Sequence, residues 1–191
     1  DAYQHRKVKS SCYILLTKYK DLFVDDFLLP TGNLRESSAG AKRANAIVVT
    51  KCPKNLSISD RENIQQKLQY FKKPLFFSSI SYAEKTKGSN SILTSNLKDY
   101  DVLLITGIAN PTPLLQHLRS LNVRCEHEEY ADHHHFSKKE IEQIEQKFSK
   151  MNIKNRILLT TEKDYTRLHN RLDELNYLEI ETQFLEDQKE G

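Results

Sequence analysis

The sequence predicts an α/β fold with a mainly parallel sheet that is flanked by helices. Short apolar runs rich in β-branched residues alternate along the chain with segments whose apolar residues recur at helical spacing. This alternation is typical of parallel strands that are joined by helices lying on both faces of the sheet. With 191 residues, the chain is long enough for one sizeable α/β domain or two small ones.

The first half of the chain predicts three strands and one helix. Residues 11–17 (SCYILLT) and 45–51 (NAIVVTK) are apolar runs of the kind found in buried strands, and a loop with proline and glycine separates them. Residues 57–71 carry apolar side chains at helical spacing, and Ser59 can cap this helix. Residues 73–82 (KPLFFSSISY) predict a third strand, which a polar turn region follows.

The second half of the chain repeats this alternation more clearly. Prolines stand where the first turn of a helix tolerates them, and Ser137 and Glu140 form a capping box at the start of another helix. The predicted strands cover residues 101–106, 122–130, 156–161 and 177–182, and the predicted helices cover residues 107–121, 137–151 and 161–168.

Three polar segments directly follow predicted strands of the second half. They are residues 106–111 (TGIANP), 130–135 (YADHHH) and 160–164 (TTEKD). Sites in parallel α/β sheets gather at the carboxyl ends of the strands, where such segments meet. The sequence therefore predicts a functional site at this edge of the sheet.

The segment YADHHHF (residues 130–136) leaves three interpretations open. In an extended segment His133 and His135 share one face and His134 points to the other. A zinc site needs three or four converging ligands, and no other His or Cys stands at a ligand-like spacing nearby. A polar loop that caps the next helix is the second interpretation. The third is acid–base chemistry, because Asp132 can orient a neighbouring imidazole that titrates near neutral pH.

The composition narrows the class of protein. A formal net charge of +3 permits an anionic partner without demanding one, and we expect no nucleic-acid partner. The three cysteines form no CxxC pair, which indicates reduced thiols in a cytosolic protein. No apolar run approaches the roughly 20 residues of a membrane-spanning helix. The five glycines form no GxxxxGK[ST] phosphate loop, so nucleotide chemistry needs a further piece of protein.

Six segments, taken in order, resemble the signature series of the tetraacyldisaccharide 4'-kinases, which are the lipid A kinases of Gram-negative bacteria. The resemblance runs from residue 1 to about residue 168. A single segment is weak support, whereas six segments in the same order are strong support. The segments are DAYQHR (1–6), LLPTGNLRES (28–37), RANAIVVTKCP (43–53), TGIANP, YADHHHF and TTEKD.

The resemblance implies the activity, cofactors and partners of such a protein. Members of the family are membrane-associated P-loop kinases that transfer the γ-phosphate of ATP to the 4'-hydroxyl of a disaccharide 1-phosphate lipid. ATP and Mg²⁺ are therefore the expected cofactors, and the lipid disaccharide 1-phosphate is the expected substrate. The expected location is the cytoplasmic face of the bacterial inner membrane, whose surface is bound by an N-terminal region upstream of this chain.

The resemblance also implies roles for individual residues. The family motif Asp-Asp-Gly-Phe-Gln-His-Arg aligns its second aspartate with Asp1, which is expected to be a magnesium-linked carboxylate. Asp132, His133 and His134 match a stretch in which a histidine, paired with an upstream aspartate, assists deprotonation of the sugar hydroxyl. The residues expected on the substrate side are Gln4, His5, Arg35 and Glu36. An arginine can grip phosphate in bidentate fashion, although an Arg–Glu pair is ordinarily a surface ion pair with little effect on stability.

Residues 1–191 are expected to be the C-terminal α/β portion of such a kinase, with the phosphate loop and the membrane-binding segment upstream. Residues 1–10 are expected to form a displaced or mobile arm, and residues 183–191 a polar tail. The isolated chain is expected to be soluble and inactive. Two alternatives stay open, namely a non-catalytic α/β module that binds an acidic partner and a metal-dependent phosphohydrolase built on the histidines.

Overall fold

The computed structural model of the chain describes residue 7, residues 9–151 and residues 154–185. The chain divides into two compact units. The first unit comprises the residues before Tyr82 together with those after Glu181, and the second comprises the residues between these limits. Each unit has its own sheet and its own hydrophobic core. The α/β class with mainly parallel sheets and flanking helices is confirmed.

The described part of the chain contains nine strands and four α-helices. Within that part, no helix is both long enough and apolar enough to cross a membrane. In chain order the elements are β1 (Ile14–Lys18), β2 (Ala46–Cys52), α1 (Ile58–Leu68), β3 (Leu75–Tyr82), β4 (Lys87–Gly88), β5 (Asp101–Thr106), α2 (Thr112–Ser120), β6 (Arg124–Glu129), α3 (Lys138–Lys150), β7 (Arg156–Thr161), α4 (Glu162–Leu168), β8 (Leu175–Leu178) and β9 (Ile180–Phe184).

The first unit is a four-stranded sheet in the order β1-β2-β3-β9, with α1 on one face. β1, β2 and β3 run parallel, as the alternation of strands and helices predicts. Ile64 and Leu68 of α1 are buried in one core cluster with Val49 and Phe77 of the strands. Full burial of such a side chain contributes about 1.5–3 kcal/mol, so these contacts fix α1 on the sheet.

The opposite face of this sheet carries exposed apolar side chains. The register of the parallel strands aligns Leu16 with Val48 and Val48 with Phe76. The ring centroid of Phe184 in β9 lies 6.3 Å from that of Phe76. Leu16, Phe76 and Phe184 are 63%, 48% and 60% exposed. We call Leu16, Val48, Phe76 and Phe184 the apolar row.

The second unit is a five-stranded sheet in the order β4-β8-β7-β5-β6. Its neighbouring strands are parallel except for the β4–β8 pair. Leu103 and Ile105 of β5 join the core formed with α3 and α4, whereas Val102 and Leu104 join the core formed with α2. Successive side chains of a strand point to opposite faces. Both faces of β5 are therefore covered, which explains why its sequence is one continuous apolar run.

The N-terminus of α1 differs from the prediction. Ser57 caps this helix instead of Ser59, because its backbone is extended and its Oγ accepts a hydrogen bond from the Asp60 backbone N at 3.1 Å. Ser59 lies within the first turn, where its own backbone is already helical. The capping box of Ser137 and Glu140 at the start of α3 is confirmed.

The strand predicted over residues 177–182 is two strands in different sheets. β8 belongs to the sheet of the second unit, and β9 belongs to the sheet of the first. A run of β-favouring residues does not show where a chain passes from one sheet to another, since both parts have the same propensity. β9 continues to Phe184, within the stretch predicted as a polar tail. Residues 186–191, and residues 1–6 and 8 of the predicted arm, lie outside the described residues.

Candidate functional site

The carboxyl ends of β5, β6 and β7 lie side by side in the second unit. The segments that follow β5 and β6 are joined by backbone hydrogen bonds. The Tyr130 N donates to the Thr106 carbonyl at 2.7 Å. The His133 N donates to the Gly107 carbonyl at 3.2 Å. A side chain from the start of α4 joins the third segment to these two, so TGIANP, YADHHH and TTEKD meet at one edge of the sheet.

That side chain is Asp164, which is completely buried. Its Oδ2 accepts hydrogen bonds from the Gly107 N at 2.8 Å and from Thr161 Oγ1 at 2.8 Å. Among the described residues its Oδ1 accepts no hydrogen bond, and Arg167 Nη1 lies 3.5 Å away. A Cβ at position 107 would lie 3.1 Å from Oδ1, so a larger residue there would require Asp164 to shift by a few tenths of an ångström. Asp164 thus fastens the ends of β5 and β7 to each other.

His133 lies in a left-handed turn on the exposed side of this edge. Its φ is 61°, and its side chain is 70% exposed. Nδ1 lies 3.0 Å from Arg167 Nη2, and Nε2 lies 3.2 Å from Lys163 Nζ. Both cations come from one face of α4, because residues four apart on a helix are neighbours. The segment is therefore not extended, and the imidazole of His133 lies between two cationic side chains.

Each ring nitrogen of His133 faces a cation that can only donate hydrogen bonds. A neutral imidazole has one protonated nitrogen and one acceptor nitrogen, and guanidinium and ammonium groups have donors only. The ring can therefore accept a hydrogen bond from Arg167 at Nδ1 or from Lys163 at Nε2, but not from both at once. Asp132 Oδ2 lies 3.8 Å from Nε2, and Lys163 donates to Asp132 Oδ1 at 2.7 Å. Lys163 thus has a carboxylate acceptor besides the imidazole.

The charge of Asp132 is fixed by its partner. The hydrogen bond from Lys163 is the main reason that the pKa of Asp132 is lowered from its ordinary value, and His133 adds a smaller effect in the same direction. Asp132 is therefore a carboxylate at neutral pH and accepts hydrogen bonds only. Two cations, two carboxylates and one imidazole form the cluster, in which the second carboxylate is that of Asp164.

His134 has a different setting. Its Nε2 lies 3.0 Å from Oε1 of Glu140, the carboxylate of the α3 capping box. The ring centroids of Tyr130 and Phe136 lie 4.9 and 5.0 Å from that of His134. Hydrogen bonds from Ser137, and then from His134, lower the pKa of Glu140. His134 therefore belongs to the start of α3, which is the helix-capping interpretation of the segment.

The described histidines have no metal-binding geometry. Over residues 9–151 and 154–185, no group of three or more His, Cys, Asp or Glu could hold a metal ion. His127, the last histidine before the segment YADHHHF, has its Nε2 2.8 Å from Thr106 Oγ1. Burial lowers the pKa of His127, so its ring is neutral at neutral pH.

The other predicted site residues belong to the first unit or lie outside the described chain. Arg35 and Glu36 follow one another in the connection between β1 and β2. Glu36 accepts a hydrogen bond from Arg43 Nη2 at 2.6 Å, which is an ion pair within the first unit. Three further predicted residues lie outside the described residues, namely Asp1, Gln4 and His5.

Lys163 and Arg167 were missed by the sequence prediction, which gave TTEKD no role beyond the end of a strand. A local sequence pattern could have indicated that they lie together. Thr161 and Asp164 form the T-x-x-D pattern that caps a helix, and Lys163 and Arg167 then fall on one face of that helix. Their shared partner His133 stands 30 residues before Lys163, and no local pattern identifies a partner so distant in sequence.

Comparisons with known proteins agree with the six segments. The family model described as tetraacyldisaccharide-1-P 4'-kinase matches residues 1–190. The tetraacyldisaccharide 4'-kinase of Flavobacterium psychrophilum is 48% identical over 195 residues, which cover 99% of this chain and 55% of the relative. The corresponding protein of Bacteroides thetaiotaomicron is 39% identical, over 100% of this chain and 55% of the relative.

A crystal structure shares the fold. That of LpxK from Aquifex aeolicus in complex with ATP matches with a TM-score of 0.64 and 25% identity, over 96% of this chain and 51% of that one. The chain spans about half the length of the curated relatives it matches. By its sequence over nearly its whole length and by its fold, the chain belongs to the tetraacyldisaccharide 4'-kinase family.

Proposed function

We propose that this chain contributes to an ATP-dependent kinase that phosphorylates the 4'-hydroxyl of a tetraacyldisaccharide 1-phosphate at the cytoplasmic face of the inner membrane. Membership of the family supports the reaction. The observation that carries the proposal is the exposed imidazole of His133, held between two cations where three segments typical of the family meet. A loop that served only to cap a helix would not require an exposed imidazole between two cationic side chains.

The proposed role of His133 is to assist removal of the proton from the sugar hydroxyl. Phosphoryl transfer depends mainly on positioning and on electrostatic stabilisation, with limited help from a base. In the family a histidine of this segment is paired with an upstream aspartate. The imidazole of His133 can donate a hydrogen bond to such a carboxylate through the ring nitrogen that carries its proton. Arg167 and Lys163, which contact the two ring nitrogens, hold the ring in position. Lys163 is held in turn by Asp132.

The remaining parts of the reaction are assigned to residues outside the cluster. Asp1 is proposed as a magnesium-linked carboxylate, and Gln4, His5, Arg35 and Glu36 as residues on the substrate side. The described residues offer no cluster for a metal ion, and the five glycines form no phosphate loop. We therefore expect the chain alone to lack kinase activity and to bind magnesium-ATP poorly. Micromolar binding in a calorimetric titration would show that the nucleotide site lies in this chain.

Kinetics of two neighbouring histidine variants in the full-length enzyme test the assignment. His133→Ala should lower kcat by about 10²–10⁴ with little change in KM, because assistance to proton removal acts in the transition state. His134→Ala is the matched control: it removes a contact to Glu140 at the start of α3. It should lower the melting temperature and leave kcat within a few-fold of wild type.

Two results would contradict this assignment. Loss of kcat in His134→Ala alone would move the catalytic role to the capping histidine. Near wild-type kcat in both variants would reduce the segment to a helix-capping loop. The second result would also favour the alternative function, a non-catalytic α/β module that binds an acidic partner.

A further inference from the structure

A tight loop of the first unit exposes three consecutive large apolar side chains. Phe27, Leu28 and Leu29 are 67%, 50% and 58% exposed. Single exposed apolar residues are common on soluble proteins, whereas contiguous exposed apolar side chains mark interaction sites. We call these three residues the loop tip.

The loop is closed by its own polar contacts rather than by packing of the tip. Asp26 Oδ1 accepts hydrogen bonds from the Phe27 N at 2.8 Å and from the Asn33 N at 3.2 Å. The Leu34 N donates to the Phe27 carbonyl at 3.0 Å, and the Leu29 N donates to the Leu34 carbonyl at 2.9 Å. The tip is therefore presented by an ordered backbone, so little conformational entropy is lost when it binds an apolar partner.

The net positive charge of the chain lies in the unit that carries this loop. That unit, residues 1–81 and 182–191, contains fifteen Lys and Arg and ten Asp and Glu. Residues 82–181 contain fourteen Lys and Arg and sixteen Asp and Glu. The overall charge of +3 conceals this division. A basic unit with an exposed apolar tip matches an anionic lipid surface, which offers phosphates at its surface and hydrocarbon beneath them.

We propose that the loop of residues 26–34 inserts Phe27, Leu28 and Leu29 into the interface of an anionic bilayer, to which the basic first unit is attracted. This places a membrane contact within this chain, in addition to the upstream one that the family resemblance implies. The inference rests on the proposed function only for its biological purpose, namely access to a lipid substrate. Binding itself requires neither ATP nor substrate, so it can fail or succeed independently of kinase activity.

The chain contains no tryptophan, which makes a single introduced indole a clean reporter. In the 191-residue chain, Phe27→Trp should show a blue-shifted emission with vesicles of phosphatidylglycerol and phosphatidylethanolamine, and quenching by brominated acyl chains. Vesicles of phosphatidylcholine alone should give a weak response, and so should anionic vesicles at high salt. Phe184→Trp is the matched control, because residue 184 is similarly exposed (60%) in the same unit but belongs to the apolar row.

A loss-of-binding variant completes the test. Leu28→Ser combined with Leu29→Ser should lower the vesicle partition coefficient by roughly tenfold or more, since each leucine loses apolar area that would enter the bilayer. The melting temperature should not change, because both side chains are exposed.

Three outcomes would overturn the proposal. The first is an equal shift for Phe27→Trp and Phe184→Trp, which indicates unspecific adhesion of apolar surface. The second is no shift for either. The third is emission of Phe27→Trp that is already blue-shifted in the full-length enzyme without vesicles, which shows that another part of the protein covers the tip. Loss of kinase activity in any of these variants, with vesicle binding intact, bears on the proposed function and leaves this inference standing.

Discussion

Among single residues, Arg167 has the clearest influence on the candidate site, because its Nη2 lies 3.0 Å from Nδ1 of His133 and its Nη1 lies 3.5 Å from Oδ1 of Asp164. We expect Arg167→Met to lower kcat of the full-length enzyme by about 10–100-fold, the range typical of partners that orient a histidine. KM should change little, since Arg167 positions the imidazole and its effect appears in the transition state. Steady-state kinetics measure both constants.

The conservative variant separates positioning from simple stability. Arg167→Lys keeps a donor-only cation and should recover part of the lost kcat. A lowered melting temperature with an unchanged kcat in Arg167→Met would show that Arg167 supports only the fold, through its contact with Asp164.

At the scale of elements, Asp164 holds the start of α4 to the loop after β5. Asp164→Ala leaves the Gly107 N and the Thr161 hydroxyl without their acceptor, and leaves Arg167 without its buried counter-charge. Each buried donor that is left without its acceptor costs about 1–3 kcal/mol. Urea unfolding of the 191-residue chain should show this loss, whereas the exposed control Asp173→Ala should change the free energy of unfolding by less than about 0.5 kcal/mol. Equal effects in the two variants would contradict the described role of Asp164.

The same elements show which features a sequence can predict. Ser137, Glu140 and the buried face of α3 lie within one short stretch, so capping and periodicity predict them correctly. The division of residues 177–182 between two sheets depends on which partner each strand finds, and propensity does not contain that information. Likewise, the left-handed turn at His133 depends on backbone contacts with Gly107, which is distant in sequence.

In the candidate site, too, the sequence predicts local features but not long-range contacts. The sequence predicts the edge of the sheet at which YADHHH and TTEKD meet, because strand ends are local features. It does not distinguish His133 from His134, since both are imidazoles in one polar segment. The distinction comes from their partners, two cations on α4 for the first and the α3 capping box for the second. Long-range packing thus gives the two rings different surroundings.

For the molecule as a whole, the three cysteines report on the folded state. Cys12 is exposed, whereas Cys52 is buried and Cys125 is half-buried. Burial raises the pKa of Cys125 to about 11 and also raises the pKa of Cys52. At pH 8 only about a thousandth of Cys125 is therefore thiolate, the form that reacts. The thiol of Cys12 should react rapidly with an alkylating reagent, and those of Cys52 and Cys125 should react fast only after unfolding. Mass spectrometry counts the modified thiols. Two rapidly modified thiols in the folded chain would contradict the described burial.

The apolar row has a practical consequence for anyone who purifies this chain. Dyes such as ANS fluoresce on contact with accessible apolar surface, and that signal is commonly taken to indicate a molten globule. Leu16, Phe76 and Phe184 present such surface on a fully ordered sheet. Strong ANS fluorescence from the isolated chain would thus be a property of its native state. Near-UV circular dichroism of its nine tyrosines is the better criterion for whether a preparation or a variant has folded.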